Sequence, residues 1–343
     1  MLAKDIERKF VKNFQSLYPM LSFLKELRSS RQKADFLIEV GIPGKKTANR
    51  FACEIIAEGF PKYLRLAAGQ LKTVQQNDKS LYPVIVAPYI SDEGRKICRE
   101  EGIGFFDLSG NCLLAFNGTY IEVKGNPNRF PTERKLTSIF KGKSSRIPRV
   151  LLLQPDRRWT MRELSKEASL SLGLVFKVIT RLEDLDVIVR QDTGVQLTKP
   201  ADLLDRWRKE YSYRLNDIVS VYSLNDKIQN EKSIADECRR LDMLYALTLF
   251  SGASRVAPFT RYNQTFAFVD DPLLLAETLS WKPVDSGANI LLLKPYDEGV
   301  YYGSQQKDRI TIASSIQLYL DLYNYKGRGE EQAEFLRSQI IKF

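Results

Sequence analysis

The sequence predicts a multidomain α/β protein in which two α/β regions flank a short, mostly helical segment closed by a β-hairpin. Three observations carry that expectation. The 343 residues, 43% of them hydrophobic, exceed what one core usually accommodates, which favours two or three domains. Apolar runs of period two alternate with helical spacing at both ends of the chain. Between them lies a polar, basic stretch with Pro and Gly that reads as a linker. The expected organisation is an α/β domain over 1–125, a basic linker over 126–145, a compact module over 146–200, a linking helix over 201–225 and a second α/β domain over 226–343.

At the N-terminus, Ile6, Phe10, Phe14 and Leu17 form one helical stripe and Leu21, Leu24 and Leu27 a second, which predicts two packed helices. Residues 34–40 and 51–57 read as strands joined through Gly-Ile-Pro-Gly-Lys-Lys-Thr-Ala-Asn, a hairpin-like connection. A helix is expected over 62–74, a strand over 81–87, a helix over 92–101, then strands over 104–108, 112–116 and 120–123. Beyond the central module, 201–225 reads as one amphipathic helix bearing Leu203, Leu204, Trp207, Tyr211 and Leu215. The last domain is expected to hold strands over 265–269 and 289–293, a helix over 273–279 between them, and closing helices over 316–323 and 331–340.

Composition excludes several kinds of chemistry. There is no histidine, so His-based acid/base catalysis, Ser-His-Asp or Cys-His nucleophiles and His-ligated zinc are ruled out. Cys53, Cys98, Cys112 and Cys238 are scattered without a CxxC pair and are expected to be reduced core residues. The charged N-terminus and the lack of an 18-residue apolar run predict a cytoplasmic protein with no membrane partner. No cofactor is expected. Fifty-two Lys and Arg against 42 Asp and Glu leave a net charge of +10, which favours a polyanionic partner. Ten cations against two acids fall within residues 129–162, so most of that excess leads into the central module. Charge runs are usually solvated faces; here the segment that follows gives this one a use.

In that segment Ile147, Val150, Leu151 and Leu152 supply the buried side of a first helix. Thr160-Met161-Arg162-Glu163 is a capping box opening a second. Ser171 is a candidate N-cap for a third, in which Val175, Val178, Ile179 and Leu182 form one apolar stripe. The opposite face offers Gly173, Lys177, Thr180 and Arg181: a small residue for close backbone approach, and donors for base edges and phosphates. Residues 187–190, the turn Gln191-Asp192-Thr193-Gly194 and residues 195–197 then form a two-stranded wing with Arg190 near its tip. The sum is a winged helix-turn-helix whose expected partner is double-stranded DNA, with Arg146, Arg149, Arg157 and Arg158 facing phosphates. The competing reading is an ordinary three-helix domain with solvated cations.

The N-terminal domain resembles the PD-(D/E)xK restriction-endonuclease fold over residues 33–123. Asp35 fits the first acid and Glu54 the second, and strand alternation puts Glu54 and position 56 on one face. Position 56 is Ile where that family has its activating Lys, so the resemblance implies a degenerate site and no nuclease activity, unless Lys62 or Lys72 substitutes. Gly44-Lys45-Lys46-Thr47 lacks both the upstream Gly and the Ser/Thr directly after Lys that a P-loop requires. In the last domain, Ser251-Gly252 and Asp270-Asp271 resemble the nucleotidyltransferase signature faintly, but adjacent acids point to opposite sides of a strand, so an inactive, related scaffold is expected.

Asp107-Leu108-Ser109-Gly110-Asn111, the winged helix, Ser251-Gly252-Ala253 and Gln317-Leu318-Tyr319-Leu320-Asp321-Leu322 together resemble the AbiE-type family of type IV abortive-infection antitoxins and transcriptional regulators. The resemblance implies repression of the protein's own operon through the winged helix. It also implies counteraction of a separately encoded nucleotidyltransferase toxin that need not be bound. One departure is that familiar members begin with the winged helix, whereas a nuclease-like domain precedes it here. The expected function is therefore sequence-specific DNA binding by a regulator or antitoxin; the alternatives are a metal-dependent nuclease targeted by the winged helix and a protein-interaction scaffold.

Overall fold

The computed structural model describes residues 1–27, 34–44, 48–131 and 138–343. The hairpin connection Lys45–Thr47 and, in the basic linker, Arg134 and Lys135 lie outside them. The chain is a multidomain α/β protein with mixed sheets, and it divides into two compact units: residues 1–135 with 183–186, and residues 136–182 with 187–343.

Among the described residues, the first unit holds a seven-stranded sheet whose strands lie side by side in chain order: β1 (Ser22–Leu27), β2 (Phe36–Gly41), β3 (Asn49–Ile55), β4 (Leu81–Ala87), β5 (Gly104–Asp107), β6 (Cys112–Phe116) and β7 (Thr119–Val123). The β3–β4 and β4–β5 pairs are parallel because helices α2 (Pro61–Asn77) and α3 (Asp92–Glu101) carry the chain back between them; the other pairs are antiparallel. Strand alternation sorts side chains into two cores. Ala52, Ile85 and Phe105 face α2 and α3, whereas Phe51, Val84, Val86 and Phe106 face the opposite layer, where α1 (Ala3–Leu17) inserts Ile6, Phe10 and Phe14.

One expectation fails here. Residues 22–27 are an edge strand paired antiparallel with β2, not a second helix. Leu21 is buried but Leu24 is half exposed, so the three-residue spacing that imitated a helix buries only part of its stripe. A tertiary partner, β2, decides the conformation.

Three helices and a hairpin follow in the chain, all in the second unit except residues 183–186: α4 (Arg146–Leu153), α5 (Met161–Glu167), α6 (Leu172–Asp184), β8 (Ile188–Gln191) and β9 (Gly194–Leu197). The Thr160–Glu163 capping box forms in both directions. Trp159, fully buried, exchanges two backbone hydrogen bonds with Val195 and so ties the chain before α5 to the hairpin. Gly194 sits at φ +129°, where a Cβ would come within 2.6 Å of the Trp159 carbonyl, so glycine is required there.

The expected single helix over 201–225 is two elements. Helix α7 (Pro200–Glu210) stops at Tyr211, and after a short 3-10 turn the chain becomes β10 (Asp217–Tyr222). Val219 and Val221 are β-branched and pair with a neighbouring strand, which the continuous apolar pattern did not reveal. Strand β10 belongs to a second seven-stranded mixed sheet, ordered β13 (Lys282–Pro283), β10, β14 (Ile290–Lys294), β12 (Thr265–Val269), β11 (Tyr245–Leu247), β16 (Ile310–Ile312) and β15 (Gln305–Lys307). Helices α8 (Lys227–Arg240) and α10 (Pro272–Thr278) pack into a core with Val221, Leu247, Ala267 and Leu292. Helices α9 (Leu249–Val256), α11 (Ser315–Tyr323) and α12 (Gly329–Leu336) complete the unit. All four cysteines are buried and unpaired. Among the described residues no helix is long and apolar enough to cross a membrane.

Candidate nucleic-acid interface

Helix α6 divides its surface cleanly. Val175, Val178, Ile179 and Leu182 are fully buried, while Leu172, Gly173, Phe176 and Lys177 are exposed and Thr180 and Arg181 lie half-buried at the flank. Ser171 starts the helix as expected: its carbonyl accepts from the Leu174 and Val175 amides, and its Oγ accepts a long 3.4 Å bond from Leu174. Gly173 and Lys177 therefore stand on one solvent-facing side, with Thr180 at its edge. Phe176 and Leu172 stand beside them and were not singled out from the sequence, although both fall off the apolar stripe and so could have been.

The hairpin adds to the same surface. Arg190 is exposed and its guanidinium lies 5.2 Å from the Phe176 ring centre, a cation–π arrangement. Arg158 reaches across to the hairpin, donating to Thr193 Oγ1 at 2.6 Å and Gln196 Oε1 at 3.1 Å. Arg157 stacks 3.7 Å from the Trp159 ring and donates to Gln154 and Glu163. Both remain exposed, so their cationic heads are anchored yet open to an anion.

Arg146 and Arg149 behave otherwise, and the expectation that they face phosphates is overturned. Arg146 makes a bidentate pair with Asp297 at 2.7 and 2.8 Å, and this pairing holds the Asp297 carboxyl below its usual range against the opposing effect of burial. Arg149 is fully buried: its Nε donates to the Gly299 carbonyl at 2.5 Å and its guanidinium lies 4.8 Å from the Trp207 ring. A buried guanidinium meets no phosphate. These arginines fasten α4 to the 297–299 turn, and Gly299 is small because a Cβ there would press on Asp297 and the Arg146 stem.

In the first unit the structure brings Asp35 and Glu54 together. Asp35 Oδ2 accepts from the Ile55 amide at 2.8 Å, and Glu54 is half-buried with one carboxylate oxygen, Oε2, enclosed and without a partner. Burial, reinforced by the Asp35 charge, pushes the Glu54 carboxyl up to about 7. Ile56 lies on the same core-facing side of β3 as Ala52. Lys72 is paired with Glu101 at 2.6 Å, and Lys62 is held in an ion pair of its own. Among the described residues no group of three or more Cys, Asp or Glu is arranged to hold a metal ion.

The other segments singled out from the sequence are structural knots. The buried Asp107 carboxylate accepts from the amides of Ile90, Ser109 and Asn111 and from the Asn111 side chain, which locks the turn after β5. Asp321, fully buried and pushed up to about 6 by burial, accepts from Tyr211, Thr248 and Gln317. Ser251 Oγ accepts from the Phe266 amide, Asp270 accepts from the Tyr301 hydroxyl, and Asp271 caps α10. These groups are occupied by the fold itself.

Residues 196–342 match the family model described as transcriptional regulator, AbiEi antitoxin, type IV TA system. The match covers less than half of the chain and starts in β9, so it spans the second sheet with its helices and leaves out α4, α5 and α6. No curated protein and no solved structure matches the chain.

Proposed function

We propose that residues 146–200 form a winged helix-turn-helix that binds an operator in double-stranded DNA, and that the chain is a transcriptional regulator of the type IV antitoxin kind. The observation that carries the reading is the division of α6: an entirely buried apolar stripe, and on its other side Gly173 and Lys177 facing solvent, with half-buried Thr180 at their edge and Arg190 of the hairpin alongside. A helix that presents a small residue and donors outward, beside a hairpin and anchored arginines, suits entry into the major groove with phosphate contacts on either side. The family match over residues 196–342 supports the regulator and antitoxin role, and with it a toxin as the functional counterpart; we propose that this toxin is a nucleotidyltransferase from the same operon. Asp35 and Glu54 sit on a restriction-endonuclease-like scaffold that does not cleave DNA, because Ile56 occupies the position of the activating Lys and Lys72 is committed to Glu101. A nucleotidyltransferase-like ancestry of the last domain stays compatible with its mixed sheet, but Ser251, Asp270 and Asp271 there serve structural bonds.

The test is a mobility-shift titration of the full-length protein on duplex from upstream of its own gene against random duplex. Preferential binding that Lys177→Ala weakens is the expected result. Equal binding to both, or none at low salt, would remove the regulator reading. Incubation of the same protein with plasmid and Mg²⁺ or Mn²⁺ is expected to leave the plasmid intact; cleavage abolished by Asp35→Ala would restore the nuclease alternative.

A further inference from the structure

The exposed side of α6 carries more than donors. Leu172 and Phe176 are each 50% exposed, one helical turn apart, and Val189 on the first strand of the hairpin is 43% exposed. The core makes no demand on them, since α6 already serves it through Val175, Val178, Ile179 and Leu182. Beside them, toward Lys177, stands Gly173, where a Cβ would meet nothing within 4 Å and the backbone is not in the left-handed region. Gly173 is the second residue of α6, where an alanine would fit as well, so nothing within the fold asks for glycine at this position. Something outside the fold can therefore approach the backbone closely at this position.

What fits such a face is decided by its company. The apolar row Leu172 and Phe176 is interleaved with Lys177 and Thr180, and exposed Arg157, Arg158, Arg162 and Arg190 belong to the same module. Arginine is common in protein–protein interfaces but lysine is depleted from their cores, and here Lys177 stands on the same face with no acidic group beside it, among the described residues, that would mark a paired protein surface. The major groove of DNA, by contrast, offers acceptors and phosphates together with one apolar group, the 5-methyl of thymine.

We infer that α6 reads its operator through thymine methyl groups: Leu172 and Phe176 pack on them, Gly173 supplies the backbone clearance, and Arg190 steadies the Phe176 ring from the hairpin. The inference rests on the DNA-binding reading and names the bases it selects. Lys177 and Thr180 donate to neighbouring base edges or phosphates, so their loss weakens binding without touching methyl discrimination. Phe176 is a specificity residue, and its removal leaves the core of the module intact.

The experiment begins with selection of bound duplexes from a random library by the full-length protein. Affinities are then measured for the selected duplex with each thymine replaced in turn by uracil, which deletes only the methyl. For the wild type at least one such replacement is expected to weaken binding about fourfold, the worth of one buried methyl-sized group. Phe176→Ala or Leu172→Ala is expected to bring that ratio to about one, while Lys177→Ala lowers both affinities and keeps the ratio. Duplex binding that is indifferent to every thymine-to-uracil replacement would overturn the inference and leave the regulator reading standing. A shift in oligomeric state on Phe176→Ala, with DNA affinity unchanged, would overturn it in favour of contact with a second copy. Failure of the wild type to select any duplex would remove both.

Discussion

Within residues 146–200 the cations fall into two groups with opposite fates. Arg146 and Arg149, on α4, are turned toward the 297–299 turn and Trp207, where one is paired with Asp297 and the other is sealed from water. Arg157, Arg158, Arg190 and Lys177 stay in solvent; Arg158 is held by neutral acceptors, Arg190 by the Phe176 ring, and Arg157 by the Trp159 ring together with an exposed ion pair to Glu163 at 3.4 Å. A guanidinium stacked on an aromatic ring serves both purposes because it is planar and weakly hydrated. What separates the groups is the second surface: α4 is covered by the rest of its unit, and the outer side of α6 is not. Clustered positive charge in a sequence therefore marks a region, and only packing tells which cations remain available to a polyanion.

The sharpest way to break this comparison is to remove one arginine from each group. Arg149→Ala empties a fully buried site and loses the Trp207 stack and the Gly299 bond, offset in part by removing two guanidinium nitrogens that are buried without a partner, so unfolding stability is expected to fall by about 2 kcal/mol in a urea titration. Arg190→Ala, at an exposed site, should stay within about 0.5 kcal/mol of wild type. Equal effects from the two would erase the distinction.

A second comparison concerns affinity. Arg157→Ala with Arg158→Ala is expected to weaken binding to operator and random duplex together and to reduce the slope of log affinity against log salt by about two, one for each phosphate contact. If the pair instead affects operator alone, these side chains read bases and the placement of α6 must be revised.

The first unit supplies a pH-dependent contrast. Burial and Asp35 raise the Glu54 carboxyl from 4.5 to about 7, so between those values the unfolded chain has already lost a proton that the folded protein retains. Stability is thus expected to fall as pH rises through that window. Glu54→Gln should flatten this segment of the stability profile. Its gain is expected to be about 1 kcal/mol at pH 8, after allowing for solvent screening of a half-exposed carboxyl, and negligible at pH 4. A steeper profile in the variant would mean that Glu54 is ionised and paired.

The smallest effect expected is also two-sided. Gly173→Ala should stabilise the fold by no more than a few tenths of a kcal/mol, since alanine has the higher helix propensity but position 173 lies in the first turn of α6, and there is open space for its methyl; yet it should weaken duplex binding. Gains in both stability and affinity would show that no close approach occurs at this position.

Much of this architecture was legible because the signals are local. Strands over 81–87, 112–116 and 265–269 and the helix over 92–101 fall where short apolar runs and turn residues place them, and the Thr160–Glu163 box opens α5 as its spacing implies. The edge strand at 22–27 and the change from α7 to β10 were not legible, because each is decided by a partner strand distant from its own residues. The same limit applies to the candidate site. Gly173 and Lys177 are read from the position of the apolar stripe on their own helix. The burial of Arg149 depends on Trp207 and Gly299, and no pattern around residue 149 announces them.

The central claim is that the exposed surface of α6 and its hairpin engages duplex DNA, and a salt series tests it most directly. Full-length protein titrated with a labelled random duplex from about 50 to 200 mM salt is expected to lose affinity along a straight line in log–log coordinates, with Lys177→Ala lowering the slope by about one. A wild type whose affinity does not change with salt, or a Lys177→Ala variant indistinguishable from it across the series, would contradict the account.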